Sequence, residues 1–343
     1  MIVSIRSHRF AAHLVAAVAV FVCALLSPAA WAVTVNTEGG LVEGAKENSA
    51  LVFKGIPFAA PPVGPLRWRA PAPAAPWQGV KSVDRFSPIC MQPGAYPDDA
   101  PPEPMSEDCL YLNVWAPAGP HDGPLPVMFW IHGGGLLNGT ASTPLYAGDM
   151  LTRRDVIVVT ANYRLGELGF LAHPDLSRES QHHVSGNYGL LDQLAALGWV
   201  QRNIAAFGGD PTNVTVFGQS SGSISISVLV SSPQARGLFQ RAIGQSGGLF
   251  EPIEVGPEFT LKGAEQIGTA FAARLGAPSL QALRALPASE IVAQPFQPQP
   301  NIDGFLLHES PYEAHAHGRV NDVDILVGSN AEEGLYFVSG RSI

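Results

Sequence analysis

The stretch that decides the fold is residues 213–222, which read NVTVFGQSSG. It begins with a run rich in β-formers and ends in the pattern Gly-x-Ser-x-Gly, centred on Ser220. In a nucleophile elbow of this pattern, a buried strand turns sharply into a helix and exposes the serine at the turn. The residues from Ser221 to Ser232 place apolar side chains on one helical face. The local sequence therefore predicts a strand, a tight turn and a helix.

The same pattern occurs again at 244–248, GQSGG, centred on Ser246. In a chain with 36 glycines, the pattern alone has little value. Ser246 also follows a strand-like run, but residues 248–257 contain two prolines and no helical period. We therefore expect Ser220 to be the nucleophile, and Ser246 to be a buried serine that makes a hydrogen bond.

A glycine-rich turn, His132-Gly133-Gly134-Gly135, directly follows the apolar run 126–131. Turns of this kind present backbone N–H groups to the oxygen that becomes negative during acyl transfer. We expect Gly134 and Gly135 to donate, with the N–H of Ser221 as the third donor. The tetrapeptide alone is compatible with an ordinary turn. Its place after one strand, with Gly-x-Ser-x-Gly after another, is more specific.

The rest of the chain alternates between strand and helix patterns. Helices are predicted at 190–207, where Gly208-Gly209 ends the period, from Ser221 onward, and at roughly 258–275. Several apolar runs lack alternation, as expected of strands buried on both faces of a mostly parallel sheet. They are among six apolar runs of strand length, which lie at 110–116, 126–131, 155–163, 213–217, 241–245 and 322–328. With a hairpin at 33–44, the pattern predicts one α/β domain over residues 33–343.

Residues 1–32 have the three parts of a secretory signal peptide. Arg6 and Arg9 precede an apolar run from Leu14 to Leu26, and Ala30-Trp31-Ala32 fits a cleavage site. We expect cleavage after Ala32 and a secreted or periplasmic protein. The alternative is an uncleaved membrane anchor, for which the apolar run is short.

Composition and cysteines narrow the class further. The chain has 20 Lys and Arg against 29 Asp and Glu and no basic run, which argues against nucleic acid as a partner. Cys23 would leave with the signal peptide, so Cys90 and Cys109 are expected to form a disulfide, with two free thiols as the alternative. No metal, nucleotide or flavin motif is present, so no cofactor is implied.

Taken together, these motifs resemble the type-B carboxylesterases, the cholinesterase-like branch of the α/β-hydrolases. The resemblance covers essentially all of the chain after the signal peptide. It rests on FKGIPFAAPPVGPLRW (53–68), SEDCLYLNVWAP (106–117), WIHGGG (130–135), NYRLGELGFL (162–171), the long stretch 186–222, LFQRAIGQSGG (238–248), IDGFLLHESP (302–311) and ILVGSNAEEG (325–334). It implies an α/β-hydrolase fold and hydrolysis of small-molecule esters through a serine, an acid that is usually glutamate, and a histidine.

Carried over by position, the resemblance assigns a role to several residues. Ser220 is the nucleophile, and Glu333, the second acid of Ala331-Glu332-Glu333-Gly334, is the acid of the triad. The oxyanion hole is assigned to Gly134, Gly135 and Ser221. The disulfide is assigned to Cys90 and Cys109. Two structural ion pairs are assigned to Arg67 with Glu107 and to Arg164 with Asp192.

The sequence departs from the family in two respects. The family order is serine, acid, histidine, yet no histidine follows Glu333, so we expect a C-terminally incomplete sequence that is inactive alone. The alternative is a genuine short product without its base. Gln219 stands where the family usually has Glu, and the Cys90–Cys109 loop lacks the tryptophan that binds choline esters in cholinesterases. The amide of Gln219 and the lack of a loop tryptophan together predict neutral ester substrates.

Two other functions remain compatible with these motifs. A binding module on the same fold is one, although such relatives generally lose the nucleophile, which is present here. Another acyl-transfer activity, such as that of a peptidase or lactonase, would use the same serine chemistry.

Overall fold

The computed structural model describes residues 32–93, 104–248 and 256–334. The predicted signal peptide lies outside the described residues except for Ala32. The strands are β1 (Ala32–Thr37), β2 (Gly40–Glu47), β3 (Ala50–Pro57), β4 (Val80–Ser82), β5 (Ile89–Cys90), β6 (Met105–Ser106), β7 (Tyr111–Pro117), β8 (Leu125–Ile131), β9 (Ile157–Ala161), β10 (Gly209–Gln219), β11 (Arg241–Gln245) and β12 (Asp324–Gly328). The helices are α1 (Asp149–Thr152), α2 (Gly166–Phe170), α3 (Pro174–Glu179), α4 (Tyr188–Asn203), α5 (Ser221–Ser231), α6 (Leu261–Arg274), α7 (Leu280–Ala285), α8 (Ala288–Val292) and α9 (Pro311–Ala316).

A central sheet in the order β1-β2-β3-β7-β9-β8-β10-β11-β12 organises these elements, with β4 paired to β2. The strands from β1 to β7 on this path are antiparallel, and β9, β8, β10, β11 and β12 run parallel to one another. The predicted hairpin is present, with Thr37 opposite Gly40. The parallel strands bring their C-terminal ends to one edge, which is where open α/β sheets place their chemistry.

The predicted helices form where their apolar periods lie. In α4, Leu190, Leu197 and Val200 are fully buried, and the helix passes into a 3₁₀ turn before Gly208 ends it at a φ of 87°. Only glycine adopts that left-handed conformation without cost. The helix α5 starts at Ser221 as expected, and the Thr260 hydroxyl caps α6 by accepting from the N–H of Gly263 at 3.1 Å.

The structural pairs implied by the resemblance are present. The Arg164 guanidinium donates to both oxygens of Asp192 at 2.8 and 2.7 Å, and the Asp192 side chain is fully buried. Arg67 binds Glu107 in the same two-pronged way. Cys90 and Cys109 form a buried disulfide, which confirms that prediction. Two-pronged pairing satisfies buried charges that would otherwise be costly.

One expectation about the sheet was wrong. The run 322–328 was expected to be a buried strand, yet every residue of β12 is exposed, including Leu326 at 64%. Within the described residues β12 pairs only with β11, and neither of its faces is covered. An apolar composition therefore identified a strand without showing what buries it. In the described part of the chain, no helix is both long and apolar enough to cross a membrane.

A buried carboxyl lies in the short helix α2. Glu167 is 1% exposed, and neither oxygen of its carboxyl group has a hydrogen-bond partner among the described residues. The nearby indole of Trp68 donates to the backbone carbonyl of Glu167 at 2.8 Å, and not to its carboxyl group. Burial raises the pKa of Glu167 to about 7.

We expect the substitution Glu167→Gln to remove a pH dependence of stability. The pKa is raised from 4.5 to about 7, so the folded state binds this proton more tightly than the unfolded state. The stability linked to the proton is full below pH 4.5 and is lost as the pH rises through 7. A shift of this size corresponds to roughly 3 kcal/mol at alkaline pH.

Urea unfolding at pH 5 and pH 8 tests this expectation. From pH 5 to pH 8 the free energy of unfolding should fall more in the wild type than in Glu167→Gln. The matched control is Glu290→Gln, which neutralises an exposed carboxyl on α8 and should leave the pH dependence unchanged. Parallel curves for the wild type and Glu167→Gln would contradict the expectation.

Candidate active site

The turn between β10 and α5 has the geometry of a nucleophile elbow. Ser220 adopts φ 55° and ψ −124°, a conformation that few residues other than glycine occupy. Its N–H donates to Gln245 at 2.9 Å, and its carbonyl accepts from Ile224 at 3.0 Å. Strand pairing on one side and the first helical turn on the other therefore hold the strained residue in place.

The glycines around Ser220 are required by close backbone approach. A Cβ on Gly222 would lie 2.1 Å from the carbonyl oxygen of Ile131, and one on Gly218 would lie 2.7 Å from it. Any side chain would push β8 away from the turn. The pattern Gly-x-Ser-x-Gly thus packs Ser220 against the strand that carries the glycine-rich turn.

Hydrogen bonds hold the carbonyl groups of Gly133 and Gly134 in the glycine-rich turn. The Nδ1–H of His132 donates to the Gly133 oxygen at 2.9 Å. The Gly134 oxygen accepts from the N–H groups of Leu137 and Asn138 at 3.1 and 2.9 Å. Because the C=O and N–H of one peptide point in opposite directions, these bonds aim the N–H groups of Gly134 and Gly135 the other way.

The N–H groups of Gly134, Gly135 and Ser221 donate to no other described residue. The turn lies against Ser220, since a Cβ on Gly133 would be 3.2 Å from the Cβ of Ser220. Free donors beside a serine are the arrangement that stabilises a developing oxyanion. The three residues proposed from the sequence as donors are therefore available for that task.

His132 supports this turn as a neutral group. Its ring is 1% exposed and stacks on Tyr163 at 4.3 Å between centroids, and the Tyr163 hydroxyl donates to the His132 carbonyl at 2.8 Å. Burial lowers the pKa of His132 to about 4, so the imidazole is uncharged at neutral pH. With Nδ1–H committed to Gly133, the residue acts on the backbone rather than on Ser220.

Glu333 lies just after β12 and is held by two donors. Its Oε1 accepts from the Ser246 hydroxyl and from the N–H of Asn330, the latter at 2.8 Å. The bond from Ser246 is the main cause of a lowered pKa, and the backbone bond from Asn330 adds to it. Glu333 is therefore an oriented, ionised carboxylate.

The role of Ser246 differs in part from the sequence-based expectation. It makes a hydrogen bond as expected, but it is half-buried, and its partner Glu333 was not foreseen. The sequence carried one signal, the repeat of Gly-Gln-Ser at 218–220 and 244–246. In the structure β10 and β11 pair with Gly218 opposite Gly244 and Gln219 opposite Gln245. The two Gly-Gln-Ser stretches thus end side by side. The residues that follow Ser246 at 249–255 lie outside the described part of the chain.

The strand ends link these residues along one edge of the sheet. Ser220 is bonded to Gln245 through its N–H, and the N–H of Ser246 donates to Gly328 at 2.8 Å. An open cleft of about 420 Å³ lies along β11 and β12 at this edge, and Gln219, Ser246 and Asn330 line it, whereas Ser220 and the glycine-rich turn do not. The Ser220 hydroxyl makes no hydrogen bond to any described residue. The structure therefore brings Ser220, the N–H groups of the glycine-rich turn and Glu333 to one edge of the sheet without pairing the serine to a base.

Comparison with known proteins agrees with this architecture. Related sequences include fumonisin B1 esterase of Sphingopyxis macrogoltabida (45% identical, covering 88% of this chain and 56% of the relative) and para-nitrobenzyl esterase of Bacillus subtilis (42%, 90% and 64%). A solved PNB esterase structure superposes with a TM-score of 0.80 at 40% identity, over 90% of this chain and 66% of that one. The chain thus spans less than two thirds of the length of these relatives.

A sequence model of the carboxylesterase family matches residues 32–342. The match includes every residue of the sheet and of the edge described above. The chain therefore belongs to the carboxylesterase family, and its sheet and flanking helices form an α/β-hydrolase fold.

Proposed function

We propose that the protein hydrolyses carboxylic esters through an acyl-enzyme intermediate on Ser220. The observation that carries the proposal is the strained serine beside three uncommitted N–H groups. The Ser220 oxygen attacks the ester carbonyl carbon, and the resulting oxyanion accepts from Gly134, Gly135 and Ser221. The base proposed below takes the Ser220 proton during the attack and donates it to the leaving oxygen, so that collapse of the intermediate expels the alcohol. Water then attacks the acyl-enzyme, releasing the acid and regenerating the serine.

The serine needs a general base to become a strong nucleophile. We propose a histidine oriented by the Glu333 carboxylate, in the order that the family resemblance implies. The described residues offer Ser220 no such partner, and the relatives extend over a greater length than this chain. Among the described residues no histidine bonds to the Ser220 hydroxyl, and without such a partner residues 1–343 are expected to be nearly inactive.

We propose neutral esters as the substrate class. Gln219 is exposed and directly precedes Ser220, and its amide carries no charge to attract a cation. A glutamate at this position would supply that charge. The relatives are named for several different esters, so Gln219 and the missing loop tryptophan are the features that favour this class.

We further propose that the protein acts outside the cytoplasm. The predicted signal peptide supports export, and the disulfide between Cys90 and Cys109 suits an oxidising compartment.

The test compares acetylcholine with 3,3-dimethylbutyl acetate, its uncharged isostere, using the complete protein. We expect a higher kcat/KM for the uncharged ester, and we expect Gln219→Glu to shift the ratio toward acetylcholine. A fluorophosphonate should label the wild type. Faster turnover of acetylcholine would refute the substrate class. Absence of both turnover and labelling would refute the esterase and leave a binding module on the same fold.

A further inference from the structure

A buried glutamine, Gln92, clamps Gly139, which lies four residues after the glycine-rich turn. Gln92 is 4% exposed, and its side-chain amide holds both backbone groups of Gly139. The Oε1 atom accepts from the Gly139 N–H at 2.9 Å, and Nε2 donates to the Gly139 oxygen at 3.0 Å. The same Nε2 donates to the Cys90 carbonyl at 3.0 Å, two residues away. The clamp is anchored at Cys90, which the disulfide fixes to Cys109.

Gly139 in turn packs against the group that orients the turn. A Cβ on Gly139 would lie 2.2 Å from Nδ1 of His132 and 2.6 Å from the Gly133 oxygen. The residue has a φ of 125°, so glycine alone fits its conformation. The backbone of Gly139 therefore presses on both partners of the hydrogen bond from His132 to Gly133.

We propose that Gln92 is a positioning residue for the oxyanion hole, an inference that rests on the esterase function proposed above. Gln92 fixes the backbone of Gly139, and Gly139 limits the His132 ring to the orientation in which Nδ1–H reaches Gly133. That bond aims the N–H of Gly134 at the substrate oxygen. Catalysis depends on donors placed before the reaction begins, and a misplacement of about 1 Å can cost 10²-fold.

The experiment compares Gln92→Met with Gln201→Met in the complete protein. Gln201 is a matched control, because its Nε2 also donates to two backbone carbonyls, those of Pro211 and Leu238, at 2.8 and 2.9 Å. Each variant is assayed for kcat and KM on a neutral ester, and for inhibition by a trifluoromethyl ketone. This inhibitor forms a tetrahedral adduct that places an oxyanion in the hole.

In Gln92→Met we expect kcat to fall at least tenfold, with KM within about twofold. This loss is smaller than the ~10²–10³ seen when a whole donor is removed. Affinity for the ketone should fall by the same factor as kcat/KM. Gln201→Met should keep its kcat even if its thermal midpoint drops. A purely structural role for Gln92 would lower stability in both variants and leave kcat and ketone affinity unchanged.

The variant Gln92→Glu keeps the test decisive should Gln92→Met fail to fold. Its carboxylate would still accept from Gly139 but would face two carbonyl oxygens, whereas the protonated acid regains one donor. The ratio of its kcat to that of the wild type should therefore rise as the pH falls. A flat ratio, or wild-type kcat in Gln92→Met, would overturn the inference alone. A wild type inactive on every ester would overturn the proposed function and the inference with it.

Discussion

Replacing Ser220 with alanine should abolish ester hydrolysis, lowering kcat by about 10⁶ in the complete protein. The substitution removes the only atom that can form the acyl-enzyme, while the donors of Gly134 and Gly135 stay in place. The residual rate would then come from binding and the oxyanion hole alone. Labelling by a fluorophosphonate should disappear, and KM for the ester should change little, because the hydroxyl contributes mainly to the reacting state.

The matched control is Ser246→Ala, which alters the serine of the other Gly-x-Ser-x-Gly pattern. This variant should keep its labelling and lose about tenfold in kcat, because Glu333 retains its bond from Asn330. Both variants should show the wild-type far-ultraviolet circular dichroism. Persistent labelling of Ser220→Ala, or loss of labelling in Ser246→Ala, would move the nucleophile away from Ser220.

The sequence predicted the fold where local patterns and physical constraints agree. The strand, turn and helix around Ser220 were recoverable because few sequences satisfy a buried strand, a strained serine and a helix start within ten residues. The end of α4 was recoverable for a similar reason, since Gly208 marks a left-handed conformation. Each of these signals acts over a short stretch of chain, where sequence patterns are most informative.

Contacts between distant residues were not recoverable in the same way. The bond from Ser246 to Glu333 joins residues 87 positions apart, and the clamp of Gln92 on Gly139 spans 47. Neither pair leaves a periodic signal, because only strand register and loop geometry bring the partners together. The apolar composition of β12 did not by itself indicate that the strand is exposed, because composition reports what a strand prefers to contact and not what covers it.

The burial of Glu167 is a second example of packing that the local sequence did not predict. The residue lies within the stretch NYRLGELGFL, and glutamate is rarely fully buried in proteins unless it is paired. The structure instead buries it without a partner. Burying an ionisable group costs free energy unless the group is neutralised. Which ionisable groups are buried is therefore known only when the packing around them is known.

Replacing Glu333 with glutamine should lower kcat by about 10⁴, the second largest effect expected here. The amide occupies the same volume but carries no charge to stabilise an imidazolium, and its NH₂ group favours the wrong tautomer of the histidine. KM should change little, since the carboxylate acts through the proposed base and not on the ester itself. The measurement is the kcat of the purified complete protein on a neutral ester across pH.

The adjacent acid provides the control that separates catalysis from loss of charge. Glu332 is exposed and binds no described residue, so Glu332→Gln removes the same charge one position away and should keep kcat within about twofold. Equal losses in the two variants would indicate a general electrostatic effect. A loss confined to Glu332→Gln would make that residue the acid. The bonds from Ser246 and Asn330 hold Glu333 ionised and in one orientation, which is what orienting a histidine requires.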